Sequence, residues 1–240
     1  MLYYCLWSVR TNAPPAATGG AFVFSVKTTL LELVVNLGGL IVGLGNPGRE
    51  YAHTRHNYGF MAVERLLAVC EKKGLVRTLS GRNEPFTLWR LSLPGMPDYL
   101  ACTPLTFMNK SGDVVQRVSA YYHVATQDIC VLHDELDLPL GRMKMKKGGG
   151  NAGHNGLRSI QQMLGTPDFY RLRLGVGKPA GNNGASFVLS RFRQDELPVV
   201  EQCLDAAVEG VLLFMKQEPR AAQQFCNSFT PPCEQDKQTP

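Results

Sequence analysis

The chain has 240 residues, enough for one substantial core and too few for a second large domain, and its 44% hydrophobic and 19% charged content excludes a disordered chain or a repeat array. A net charge of +5 is too small by itself to specify a nucleic-acid or membrane partner. Cys5, Cys70, Cys102, Cys130, Cys203, Cys226 and Cys233 are odd in number and lack C-x-x-C spacing, which points to reduced thiols packed in a cytosol-like protein rather than to disulfides or zinc.

Residues 1–37 carry only Arg10, Lys27 and Glu32 as charges and include Ala-Pro-Pro-Ala-Ala-Thr-Gly-Gly at 13–20. The opening "MLYYCLWSV" lacks the basic start of a secretory signal, arginines are scarce for a transit peptide, and no unbroken apolar run of about 18 residues follows. The expectation is a poorly ordered extension over 1–37 and no membrane span. A buried strand is predicted over 39–44, then a loop over 45–56, then a helix from Asn57 to Lys73 with Phe60, Val63, Leu67 and Cys70 on one face and Gly74 as its stop. Runs at 86–91 and 98–103, separated by Pro94-Gly95-Met96-Pro97, predict a hairpin. "TFMNKSGDVVQRVSAYYHV" begins a second helix with Val114, Val118 and Tyr121 in register and His123 closing it, and "DICVLHDE" supplies a buried strand that Asp134 ends. A β-like "GRMKMKK", a loop "GGGNAGHNG", a short helix "LRSIQQML", a strand "YRLRLGVG" and a last helix over 194–217 complete the pass. Strands alternating with helices predict a single α/β domain over 38–220, a central mixed sheet flanked by helices, followed by a flexible tail over 221–240.

"GLGNPG" at 43–48 has the G-x-G-x-x-G spacing of a dinucleotide-binding turn. That motif needs a helix N-terminus at its third glycine and an acid closing a second strand about 20 residues later. Pro47 removes a backbone N–H where phosphate would lie, residues 49–56 lack helical periodicity, and the acid at that distance, Glu64, falls inside a helix. Nucleotide binding is therefore the weaker reading. In α/β sheets ligands gather beyond the carboxyl ends of the strands, so Asn46, His56, Phe107-Met108-Asn109, His133-Asp134 and His154-Asn155 form one constellation. It offers histidine, a carboxylate and three asparagines but no obvious serine or cysteine nucleophile, which suits hydrolysis by an activated water. An Asp that orients a His makes a general base worth about 10²–10⁴ in rate. Asparagine amides can hold a peptide backbone or stabilise an oxyanion, each worth about 3 kcal/mol in a dry site. Taken singly they also fit structural roles, Asn46 before Pro-Gly in a turn and Asn57 and Asn109 at helix starts. His53 and His56 have H-x-x-H spacing and His133-Asp134 hints at a metal, but the cysteines supply none of the further ligands a closed zinc site needs. His56, between Arg55 and Asn57 at a loop-to-helix junction, is the candidate base. No acid lies between Asp137 and Asp168, where Arg142, Lys144, Lys146, Lys147 and Arg158 gather, a patch that suits phosphates and equally a solvated strand face.

"GLIVGLGNPGREYAHTRHNYGF", "PLTFMNKSGD", "VLHDELDLPLGRMKMKKGGGNAGHNGLRSI" and "RLRLGVGKP" resemble, in order and spacing, the signatures of the bacterial-type peptidyl-tRNA hydrolase family, over residues 39–217. The resemblance implies a monomeric, cytoplasmic enzyme that cleaves the ester joining peptide to tRNA without metal or cofactor, and so recycles tRNA for translation. Carried across by motif, His56 is the catalytic base and Asp134 its supporting carboxylate; Asn46, Asn109 and Asn155 hold substrate, and Tyr51, Met108 and His154 line the cleft. Lys144, Lys146 and Arg173 match positions that contact tRNA phosphates, contacts that position without reading sequence. The extension over 1–37 has no role in the resemblance. A non-catalytic RNA-binding relative is the other class to weigh, and the intact His56, Asp134 and asparagine set speaks against it.

Overall fold

The structure, a computed structural model, describes residues 37–179, 181 and 183–232. The extension expected before the domain lies outside the described residues, except that Leu37, read as its last residue, opens the first strand. Cys5 and Cys233 are also outside them, and the other five cysteines are buried free thiols.

Among the described residues there are seven strands: β1 (Leu37–Gly43), β2 (Val76–Thr78), β3 (Phe86–Leu91), β4 (Asp98–Pro104), β5 (Ile129–Glu135), β6 (Met143–Lys147) and β7 (Tyr170–Gly175). They form one sheet in the order β2-β3-β4-β1-β5-β7-β6. β4, β1, β5 and β7 run parallel, while β3 and β6 oppose their neighbours. The expected mixed sheet and the β3–β4 hairpin are both present. The apolar runs of β1 and β5 are buried on both faces, as central parallel strands require.

Six α-helices among the described residues cover the sheet: α1 (Tyr58–Glu71), α2 (Ser111–Tyr121), α3 (Asn155–Leu164), α4 (Gly184–Val188), α5 (Leu197–Met215) and α6 (Pro219–Ser228). Alternation along the strands divides the core in two. Ile41, Leu132, Leu172 and Met145 pack with α1, α5 and α6, whereas Leu40, Val42 and Val131 pack with α2 and α3. Between β1 and β5 and the start of α1, Gly59 stands where any Cβ would run into the Leu132 carbonyl and the Leu44 amide, so glycine lets the helix seat directly on the sheet. The same holds for Gly43 and Gly45, which face Gly59, Val63 and the Phe60 ring; in "GLGNPG" only Gly48, at φ 113°, takes a conformation that favours glycine.

Two expectations need correction. The stretch from 221 is not a tail throughout, because it continues α6, whose Ala222 and Cys226, one turn apart, are fully buried. Asn227 just beyond accepts the Met145 N–H at 2.9 Å, which satisfies an edge amide of β6. In α2 the buried stripe is Val114, Val115 and Val118, with Tyr122 packing next, while Tyr121 is 71% exposed and meets Tyr122 edge-on from solvent. The short β2 and α4, which the sequence did not announce, lack the length to show a period.

Candidate active site

Because β4, β1 and β5 are parallel, the segments that leave them share one edge of the sheet. Asn46 follows β1, a 3-10 turn Met108–Lys110 follows β4, and Asp134 is the penultimate residue of β5. A second 3-10 turn, Arg55–Asn57, leads into α1 and carries His56 to Asp134. Arg55 anchors that turn. Its guanidinium is 3% exposed, lies 4.5 and 4.8 Å from the centres of the Phe187 and Phe192 rings, and pairs with Glu196 at 2.6 Å. The Arg55 amide donates to the Ser190 carbonyl at 2.9 Å, so the α4 segment straps the turn down.

His56 Nδ1 lies 2.9 Å and His154 Nε2 3.1 Å from the same oxygen, Asp134 Oδ1. His154 is the N-cap of α3, and its Nδ1 accepts from the Gly156 and Leu157 amides at 3.2 and 3.4 Å. An imidazole that accepts at Nδ1 carries its proton on Nε2, so the network makes His154 a donor to Asp134. His56 donates from Nδ1 to the same carboxylate, which leaves a lone pair on His56 Nε2. Asp134 is 4% exposed; burial alone would push its carboxyl up, but the electrostatic attraction and hydrogen bonds of His154 and His56 outweigh it and hold the group well below the usual carboxylate range. The carboxylate therefore stays ionised while it orients the His56 ring.

His56, Asp134 and His154 are also the one trio among the described residues whose donor atoms could meet a metal, all within 4.8 Å of one another. A metal-bound imidazole donates through its second nitrogen, yet His154 Nδ1 is an acceptor and its Nε2 holds the proton. The trio fits a hydrogen-bond relay better than a ligand set. His53, the other half of the H-x-x-H pair, has φ 63° and stands outside it.

Around the trio, Asn46 Oδ1 accepts the Met108 N–H at 2.8 Å, which ties the β1 and β4 loops together. Met108 is 5% exposed and packs in the α2–α3 core, with its sulfur against Gly156 at the start of α3. Tyr51 is half-buried in the loop before His56. Asn109 and Asn155 sit next to Met108 and His154 with exposed side chains, beside the trio rather than bonded to it. Phe107, placed in the constellation by sequence without a role of its own, is 60% exposed on the same loop.

The cationic positions also come together. In the β6–β7 ladder Lys144 faces Arg173 and Lys146 faces Arg171, so all four lie on one sheet face while Met143 and Met145 enter the core. Glu135 Oε2 accepts from Arg173 Nε at 2.8 Å. Burial first, then Arg173 and Arg171, lower the Lys146 pKa. One expectation fails here: β6 is antiparallel, so its end lies on the far edge of the sheet, and His154 does not simply follow it at the site. The glycine-rich loop 148–153 brings the chain back, with positive φ at Gly148, Gly149, Ala152 and Gly153, held midway by Arg171 Nη1 donating to the Gly150 carbonyl at 2.6 Å.

Comparisons with known proteins agree on one family. The model of the family described as Peptidyl-tRNA hydrolase matches residues 40–235. A peptidyl-tRNA hydrolase of Nitratidesulfovibrio vulgaris (strain DP4) is 50% identical over 201 residues, covering 82% of this chain and all of that protein. That of Solidesulfovibrio magneticus is 51% identical over 197 residues, 79% of this chain and 93% of its own. The crystal structure of peptidyl-tRNA hydrolase from Acinetobacter baumannii superposes with a TM-score of 0.74 at 36% identity, over 82% of this chain and 97% of that one. With the match spanning the sheet, the His56–Asp134 pair and the cationic ladder alike, this chain belongs to the peptidyl-tRNA hydrolase family.

Proposed function

We propose that the chain hydrolyses the ester between peptide and tRNA through a water that His56 activates. The observation that carries this reading is the Nδ1 bond of His56 to the buried Asp134 carboxylate, which fixes the tautomer and leaves Nε2 free to take a proton. Water oxygen attacks the ester carbonyl as its proton passes to Nε2. The tetrahedral intermediate then expels the terminal ribose oxygen, which takes the proton back, giving a free peptide acid and a tRNA with its terminal hydroxyl restored. Asp134 remains anionic throughout and stabilises the imidazolium. Asn46, Asn109 and Asn155 hold the acyl portion, with Tyr51, Met108 and His154 lining its path. Lys144, Lys146 and the Nη edge of Arg173 receive tRNA phosphates, and Phe107 offers a face on which a terminal base stacks. The enzyme acts as a cytoplasmic monomer with no cofactor. No helix among the described residues is long and apolar enough to cross a membrane.

Peptide release from a purified N-acyl-aminoacyl-tRNA tests the reading. His56→Ala should lose about 10²–10⁴ in kcat, and Asp134→Asn should lose less while keeping the fold. Unchanged turnover in His56→Ala would remove the mechanism. Free aminoacyl-tRNA, with a cationic amine where the amide should be gripped, should be largely spared.

A further inference from the structure

Asn57 occupies the N-cap position of α1, yet its side chain caps nothing in the helix. It turns back instead to the loop that leaves β1. Its Oδ1 accepts the Asn46 N–H at 2.8 Å and its Nδ2 donates to the Asn46 carbonyl at 2.9 Å, both bonds buried. A carboxamide has the donor and acceptor of a peptide group, so this pair copies a two-bond ladder rung between residues eleven apart. The Asn46 backbone is thereby pinned at both polar groups. Its Oδ1 is committed to the Met108 N–H at 2.8 Å, and its Nδ2 has no hydrogen bond among the described residues. With its N–H, its carbonyl and its Oδ1 each already bonded, the one polar group of Asn46 without a partner among the described residues is the Nδ2 donor, which suits a carbonyl oxygen or oxyanion. Asn57 also directly follows His56 in the 3-10 turn, so one rigid turn sets both the base and the amide.

We infer that Asn57 is a positioning residue, which acts on the reaction by holding Asn46 so that Nδ2 points at a carbonyl oxygen of the acyl group. The inference rests on the reading of Asn46 as a substrate-holding amide. Asparagine is required because both ends of its carboxamide are used. Aspartate, of the same size, would keep the acceptor for the Asn46 N–H but set a carboxylate oxygen against the Asn46 carbonyl.

A double-mutant cycle on N-acyl-aminoacyl-tRNA hydrolysis, measured in the full chain, tests it. Asn57→Asp should lower kcat about 10- to 100-fold with KM changed less than about two-fold, because the Nδ2 donor bonds a carbonyl oxygen more strongly as that oxygen gains charge, while Asn109 and Asn155 still hold the acyl portion. In an Asn46→Ala background the same change should alter kcat by less than about two-fold, since the group it positions is already gone. Equal losses in both backgrounds, or no loss in the single variant, would overturn the inference. Full activity of Asn46→Ala alone would instead overturn the reading of Asn46 on which it rests. Should Asn57→Asp not fold, hydrogen exchange in the unmodified chain decides: the Asn46 amide should exchange at least about 100-fold more slowly than an unprotected amide, and exchange at the unprotected rate would overturn the pairing.

Discussion

Replacing His133 by asparagine should make the fold less sensitive to acid, because the native ring has to be neutral. His133 is 1% exposed on β5; its Nδ1 donates to the Asp134 carbonyl at 2.7 Å, and its Nε2 has no partner among the described residues. Burial first, and the neighbouring His154 second, lower its pKa to about 3 from the ordinary 6.5. Between those values the unfolded chain binds a proton that the native chain does not. The contribution of His133 to stability is therefore complete above about pH 6.5 and is lost progressively as the pH falls toward 3. Each pH unit in that window costs about 1.4 kcal/mol, and at pH 4 the accumulated cost is on the order of 3 kcal/mol. That is a large share of the roughly 5–15 kcal/mol a domain possesses. In His133→Asn the new side chain would place an amide N–H close to the position of Nδ1 and would not titrate, while its loss of packing would be the same at every pH. Urea unfolding of both chains from about pH 7.5 to about pH 4 reads the effect as a difference curve. The variant should be the less stable at the upper end, and the gap should close by about 3 kcal/mol on acidification. Asp134 does not confuse this window: its folded carboxyl sits below the usual range, so its contribution is present above its ordinary value of 3.8 and is lost only below it. Stability curves that ran parallel across the range would refute the reasoning, because His133 would then titrate alike in both states.

Two further outcomes follow from the charged residues. Lys146→Ala and Arg173→Ala should each raise KM for whole tRNA with little change in kcat, lower the salt slope of binding by about one unit, and leave a substrate bearing only the terminal nucleotide unaffected; equal slowing of that small substrate would assign the residue to the chemistry or the fold. Arg55→Leu should cost on the order of 3 kcal/mol in urea unfolding, since it removes the buried guanidinium that pairs with Glu196 and packs over the Phe187 and Phe192 rings and leaves Glu196 only its contacts with Arg193, and should lower kcat through the neighbouring His56; a variant as stable as the parent would show that the strap contributes nothing to the fold.

How much was legible depends on whether a feature is local. The apolar runs of β1 and β5 and the hairpin announce themselves, because burial on both faces and tight turns write directly into short stretches of sequence. The residues brought together at the sheet edge were legible for a related reason: parallel strands put their carboxyl ends side by side, so the loops after β1, β4 and β5 had to converge. The direction of β6 is not local. "GRMKMKK" has the same alternation whichever way the strand runs, and only its pairing with β7 shows that the chain must travel back through the glycine-rich loop to deliver His154. α6 was missed because its buried stripe is only Ala222 and Cys226 in an otherwise polar run.

Asn57 and His154 show the deeper limit, since each stands at the start of a helix where an N-cap is the ordinary expectation. For asparagine the expectation fails, because a partner outside the helix, the Asn46 backbone, takes both ends of its side chain. For histidine it succeeds at a residue seldom used as a cap, and the consequence reaches into the chemistry. By committing Nδ1 to the Gly156 and Leu157 amides, His154 is forced to protonate Nε2, and that proton meets Asp134. Without it the buried carboxylate would rely on His56 alone and would lose the larger part of what offsets its burial. A helix cap thus helps keep a buried carboxylate ionised, a coupling between secondary structure and acid–base chemistry that depends on which nitrogen carries a proton and that no spacing of residue types can display.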